Sequence, residues 1–207
     1  MTRVACILVL LLSGALLALF AQSPGAFDHY LLSLSWSPEF CSSNPASAEC
    51  GSGHRYGFIV HGLWPELRNG GGPEYCSHAP GPDPAEAGSM LDIMPDLHLI
   101  EHEWQAHGVC SGLNANEYFK LIRKAFTSFR IPRQFSSPQA WFSISPLDVK
   151  KAFEESNPNL NDAAMAIGCR GNYLSAVSIC LSKDLHPVPC PAVRDCRART
   201  IRVAPVR

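Results

Sequence analysis

The sequence predicts an α+β fold: a single domain in which a central antiparallel β-sheet is flanked by helices and stapled by disulfides. Three observations carry that expectation. Strand-like segments stand near both ends of the chain, with helical spacing between them. Eight cysteines follow an N-terminal stretch with the character of a secretory signal, and an even set in an exported chain implies disulfides. The 207-residue length suits one substantial core once that stretch is removed.

The first residues, MTRVACILVLLLSGALLALFAQ, carry one positive charge and then an unbroken apolar run, with small residues at Ala18 and Ala21. Residues 1–21 read as a cleaved signal that removes Cys6 and leaves 22–207 as the mature domain. A retained anchor is the weaker alternative, because the apolar run is short and no second one follows. No membrane partner is therefore expected for the mature form. In DHYLLSLSW, Tyr30, Leu32, Leu34 and Trp36 alternate with smaller or polar neighbours, the period of a half-buried strand. RYGFIVHG is a second strand, running into His61 and stopped by Gly62 and Pro65. Residues 69–89 are loop by their Gly and Pro content, tied down by Cys76.

Leu97, Ile100 and Trp104 recur at helical spacing, in a helix closed by Gly108. Asn114 followed by Glu117 signals another helix start, and Phe119, Ile122, Phe126 and Phe129 form its core-facing stripe. Ser145 and Pro146 begin a third helix through VKKAFEES. AAMAIGCR, GNYLSAVSIC and RTIRVAPV are the closing strands. The formal charge of −1 does not suit a basic-stripe nucleic-acid binder at neutral pH. All eight histidines follow the signal, so acid would make the chain cationic and favour a polyanion there.

The chemistry concentrates in two segments. EHEWQAHGVC, residues 101–110, resembles a zinc-protease motif with one residue too many. On a continuous helix, His102 and His107 point about 140° apart, which argues against that arrangement. His98 and His102, four apart, would share a face and allow a zinc hydrolase, although no third ligand is evident. In FIVHGLWPE a titratable His61 stands at a strand end, followed by Trp64 and Glu66, an aromatic ring and an acceptor suited to a nucleobase. Two histidines near their pKa can move protons without a metal. RNA is a substrate whose own 2′-hydroxyl needs only that. His61, His102 and His107 fit base, acid and phosphate roles, with Glu103 beside them as a partner or, if protonated, a donor.

These two segments, in this order, resemble the active-site segments of the ribonuclease T2 family. The resemblance extends through DHYLLSLSW, EYFKLIRKAF and NYLSAVSIC. It implies a secreted, monomeric endoribonuclease without metal or cofactor, acting on single-stranded RNA and not on DNA through a 2′,3′-cyclic phosphate. His61 and His107 are then the acid–base pair, here His61 as acid and His107 as base. His102 and Glu103 assist at the phosphate, and Trp64 with Glu66 border the base. The expected location is the extracellular space, the periplasm or, in a eukaryote, an acidic organelle.

The family pattern also implies the disulfides Cys41–Cys50, Cys76–Cys110, Cys169–Cys196 and Cys180–Cys190. Two positions depart from it. Ala106 stands where the family has a lysine, a cationic phosphate donor that Arg68 or Lys120 would have to replace. Ser35 stands where the first strand often has a glutamine, so the second base subsite is not carried over. The missing lysine is the argument for a rival reading, a catalytically silent relative that binds RNA or another polyanion.

Overall fold

Strand β1 (His29–Trp36) is the spine of the sheet. It pairs antiparallel with β2 (Phe58–Glu66) on one side and with β5 (Tyr173–Leu181) on the other. β4 (Met165–Arg170) adds to β5 antiparallel. At the far edge the short β3 (Phe142–Ile144) pairs with β6 (Ile201–Val203), which meets β5 in parallel through Tyr173 and Arg202. The sheet is thus mixed, antiparallel except for that one contact. The computed structural model describes residues 23–51, 53, 55–190 and 192–206. The expected signal at 1–21 lies outside them.

β1 is more deeply buried than a half-buried strand should be. Tyr30, Leu32, Leu34 and Trp36 face the core, and Leu31 and Ser33 are buried as well. A central strand with neighbours on both sides loses its solvent face; Ser35 alone stays partly open. β2 does not stop at Gly62 but continues to Glu66. A bulge absorbs the irregularity, and Pro65 is tolerated because β2 is an edge strand whose missing N–H breaks no second ladder.

The helices follow their local signals. Pro38 opens α1 (Ser37–Ser43), and α2 (Ala48–Gly51) joins it through Cys41–Cys50. Within the segment expected to be loop, α3 (Pro84–Ser89) forms on an Asp83 cap that accepts from the Glu86 N–H. Gly and Pro composition hid that Asp-Pro-x-Glu start. Helix α4 (Leu97–Ala106) buries Ile100, Glu103, Trp104 and Ala106, while Leu97 is exposed. Gly108 then opens a 3₁₀ turn, and a side chain there would strike the rings of Trp104 and Tyr118.

Helix α5 (Ala115–Thr127) has the expected capping box between Asn114 and Glu117. Tyr118, Phe119, Ile122 and Ala125 are its buried face, with Phe126 and Phe129 half-buried at the rim. The short α6 (Arg133–Ser136) delivers Phe135 to the core. Ser145 caps α7 (Pro146–Ser156), which contributes Val149 and Phe153. Trp36, Phe58, Phe135 and Phe153 pack ring against ring beneath the sheet. All four disulfides join the cysteines named above. Cys76–Cys110 clips the glycine-rich segment to the turn after α4, which fixes one wall of the site. Among the described residues, no helix is long and apolar enough to cross a membrane.

Candidate active site

A bulge in β2 frees His61 from the regular ladder. Ser33 pairs with Gly62 and Leu34 with Val60, so His61 is the additional residue between them. Its Nδ1 lies 3.1 Å from Ser35 Oγ on β1, and its Nε2 faces Glu103 Oε1 at 3.4 Å. The side chain is still 42% exposed, open to a ligand.

Glu103 reaches this point from the buried face of α4, with only 1% of its side chain exposed. The Trp64 indole N–H donates to Oε2 over 2.6 Å. Gly62 permits the approach, because a Cβ there would collide with both the Glu103 carboxyl group and the indole nitrogen. Oε1 makes no hydrogen bond, and His61 Nε2 faces it without closing one. Burial pushes the Glu103 carboxyl up to about 8, against the Trp64 bond that lowers it and with a further rise from the Glu74 charge. A buried carboxyl with one free oxygen therefore keeps its proton in acid.

His102 lies within α4, which ends at Ala106, and His107 is its C-cap with φ −119° and ψ −44°. The His107 ring stands 6.4 Å from that of the exposed His102, centroid to centroid, so the two side chains converge although their positions are five residues apart. The Trp64 ring stands 5.5 Å from His61 and 5.3 Å from His107. Burial, then the charges of His102 and His61, lowers His107 to about 4. Burial and the His102 charge also hold His61 below its ordinary 6.5. Each imidazole therefore gives up its proton at a lower pH than a free one does.

Other expected participants fall differently. Glu66 follows Trp64 by two residues on the same strand face, half-buried, its carboxyl raised by burial and by Glu74. It lines a cavity of about 180 Å³ with His29, Leu67 and Gly70. His98 is exposed on the first turn of α4, its backbone N–H bonded to Asp96. His102, Glu103 and His107 instead hold potential ligand atoms within 4.8 Å of one another, so the zinc set drawn from His98 and His102 is replaced by a different trio.

Ala106 is 2% exposed, and its carbonyl accepts from the Tyr75 N–H, so it does not stand open to a phosphate. Neither substitute cation is placed at the histidines. Arg68 lies beside Asp28 and His29, and Lys120 beside Asp83. Two contributors escaped sequence reasoning: Ser35, visible there only as a departure, and Gly62, which reads as a strand stop. Their partners lie 26 and 41 residues away in the chain, and no local spacing reveals them.

Comparison with known proteins gives the family. Residues 27–190 match the ribonuclease T2 family, and the chain belongs to it. It is a ribonuclease of that class. A ribonuclease of Aeromonas hydrophila is 38% identical over 187 residues, covering 85% of each chain. Ribonuclease DdI of Dictyostelium discoideum is 29% identical over 211 residues, covering 87% of this chain and 90% of its own. Among solved structures, RNase NT in complex with 5′-AMP superposes with a TM-score of 0.70 at 23% identity, over 86% of this chain and 98% of that one. An RNase-related protein from Calystegia sepium gives 0.69 at 21% identity, over 87% and 98%. At these identities the superpositions establish the fold.

Two outcomes follow from the geometry. Gly62→Ala forces Trp64 away from Glu103, and a displacement on this scale should lower turnover by roughly 10²-fold. Circular dichroism should show a folded chain; unchanged turnover would remove Gly62 from the account. The second concerns stability. An unfolded glutamate releases its proton near 4.5 and folded Glu103 near 8, so between these values the unfolded chain holds fewer protons and stability falls as pH rises. Glu103→Gln should therefore gain on the wild type by a few kcal/mol, roughly, between pH 4.5 and 8. Urea titrations at the two pH values check this, and a difference that does not change with pH contradicts it.

Proposed function

We propose that the protein is an exported endoribonuclease that cleaves single-stranded RNA by metal-independent transphosphorylation. The observation that carries the reading is the pair of partly buried imidazoles, His61 and His107, on either side of the Trp64 ring. Neutral His107 takes the proton of the 2′-hydroxyl. The 2′-oxygen bonds to phosphorus as the bond to the 5′-oxygen breaks, and protonated His61 delivers a proton to that leaving oxygen. The products are a 2′,3′-cyclic phosphate and a free 5′-hydroxyl.

Ser35 Oγ, within hydrogen-bond distance of His61 Nδ1, fixes the ring so that Nε2 points into the site. Glu103 keeps its proton and turns its unbonded oxygen toward the phosphoryl oxygens, a neutral donor placed where negative charge develops. His102 supplies a cationic donor from the exposed side. Trp64 and Glu66, on one strand face, border the base. Four disulfides support export, since such crosslinks persist in oxidising compartments. The relatives' names, ribonuclease in each case, support the substrate class.

A second reading keeps the scaffold as a polyanion binder without turnover. The buried Ala106 favours it, because no lysine stands beside the histidines. A third, with zinc on His102, Glu103 and His107, draws on their mutual closeness. One experiment separates the three: purified protein with RNA or DNA, with and without excess chelator, across acid to neutral pH. The expected result is RNA cleavage that survives chelation, 2′,3′-cyclic ends among early products, and intact DNA. Loss on chelation favours zinc, and binding without cleavage favours the silent relative.

The pH profile should be a bell. The base limb follows His107 near 4 and the acid limb follows His61, held below its ordinary 6.5, so the optimum lies in acid. His61→Ala and His107→Ala should each lose about 10²–10⁴-fold in kcat with folding intact. A flat profile through acid pH, or a fully active variant, would rule out this pair.

A further inference from the structure

At the end of β1 that carries Ser35, a second cavity of about 600 Å³ opens beside α1. Its lining includes Ser37, Glu39, Glu49, Tyr56, Trp141 and Tyr173 and none of the catalytic histidines. Trp141 and Tyr173 are 44% and 39% exposed, with ring centroids 5.8 Å apart and planes inclined at 66°. The Arg202 guanidinium lies over both rings, at 4.6 Å from the indole and 5.6 Å from the phenol. Arg170 stands at the rim, donating to Ser43 Oγ and paired with Glu39 at 3.6 Å.

Exposed large aromatic rings interleaved with arginines form the surface that single-stranded nucleic acid uses: bases stack and phosphates meet guanidinium groups. The two carboxyl groups in the wall do not oppose this. Glu39 is paired with Arg170, and Glu49 accepts from the Ser37 hydroxyl over 2.8 Å. Both present acceptors to the amino protons of a base rather than open charge to a phosphate.

The cavity is also in reach of the reacting bond. Ser37 lies two residues beyond Ser35, which contacts His61, so the two sites are joined by about 7 Å of chain. The cavity therefore neighbours the histidine site along β1.

We infer that this cavity is an accessory subsite for single-stranded RNA, in which a base outside the scissile dinucleotide stacks on Trp141 and Tyr173 while its phosphates pair with Arg202 and Arg170. The inference rests on the ribonuclease reading above. It makes substrate length a determinant of efficiency, carried by residues that take no part in the chemistry.

The test compares wild type with Trp141→Ala and, separately, Arg202→Gln on a dinucleoside monophosphate and on a single-stranded RNA dodecamer. Each variant should raise KM for the dodecamer about tenfold and leave kinetics on the dinucleoside unchanged. Binding of an uncleavable 2′-O-methyl dodecamer should weaken to the same extent. Unchanged dodecamer kinetics and binding would overturn the subsite, as would an equal loss on both substrates. Should the wild type cleave neither substrate, the ribonuclease reading has failed, and the 2′-O-methyl titration decides alone: weakened binding in both variants sustains the subsite and unchanged binding overturns it.

Discussion

The hydrogen bond from Trp64 Nε1 to Glu103 Oε2 joins the edge strand of the sheet to the helix that carries the other site residues. Everything at the site is referenced to it. It exists because Gly62 leaves no side chain between strand and helix, and because the β2 bulge turns His61 toward the same point. It holds a carboxyl group in a nearly dry place, and burial then sets the proton affinities around it. Charge on one of these groups weighs on another, as the lowering of His107 by the His102 and His61 charges illustrates.

Support for that contact comes from two directions. Beneath it, Tyr118 of α5 donates its hydroxyl to the Leu63 carbonyl and locks the strand to the helical layer. Behind it, the disulfide between Cys76 and Cys110 and the bond from the Tyr75 N–H to the Ala106 carbonyl pin the glycine-rich segment against the end of α4. Tyr75 takes a positive φ of 53° to make that bond, a conformation rare for a residue with a side chain. The wall so formed covers Ala106 and leaves His102 exposed on the helix.

Much of this was legible from local signals. The alternation of β1, the Asn114–Glu117 box of α5 and the Ser145–Pro146 start of α7 are each written within a few residues, and each element forms there. The short β3 and the helix α3 were not legible: three residues carry no period, and a glycine-rich setting masks a cap. At the site, the identities of His61, Glu103 and His107 were visible in two segments, but their geometry was not. The closeness of the His102 and His107 rings depends on side-chain directions, which residue spacing does not encode. Ser35 with His61, and Gly62 with Glu103, are contacts between elements and leave no trace in either segment alone.

The central claim is that Glu103 is a neutral acid held between an indole and an imidazole, and it can be observed directly. Carbon-13 labelling of the glutamate side chains, with Glu103 assigned by loss of its signal in Glu103→Gln, allows its carboxyl resonance to be followed by NMR from pH 3 to 10. The account predicts a midpoint near 8. A midpoint near the ordinary 4.5 would contradict it, because the group would then be a carboxylate throughout the working range and could not donate to a phosphoryl oxygen.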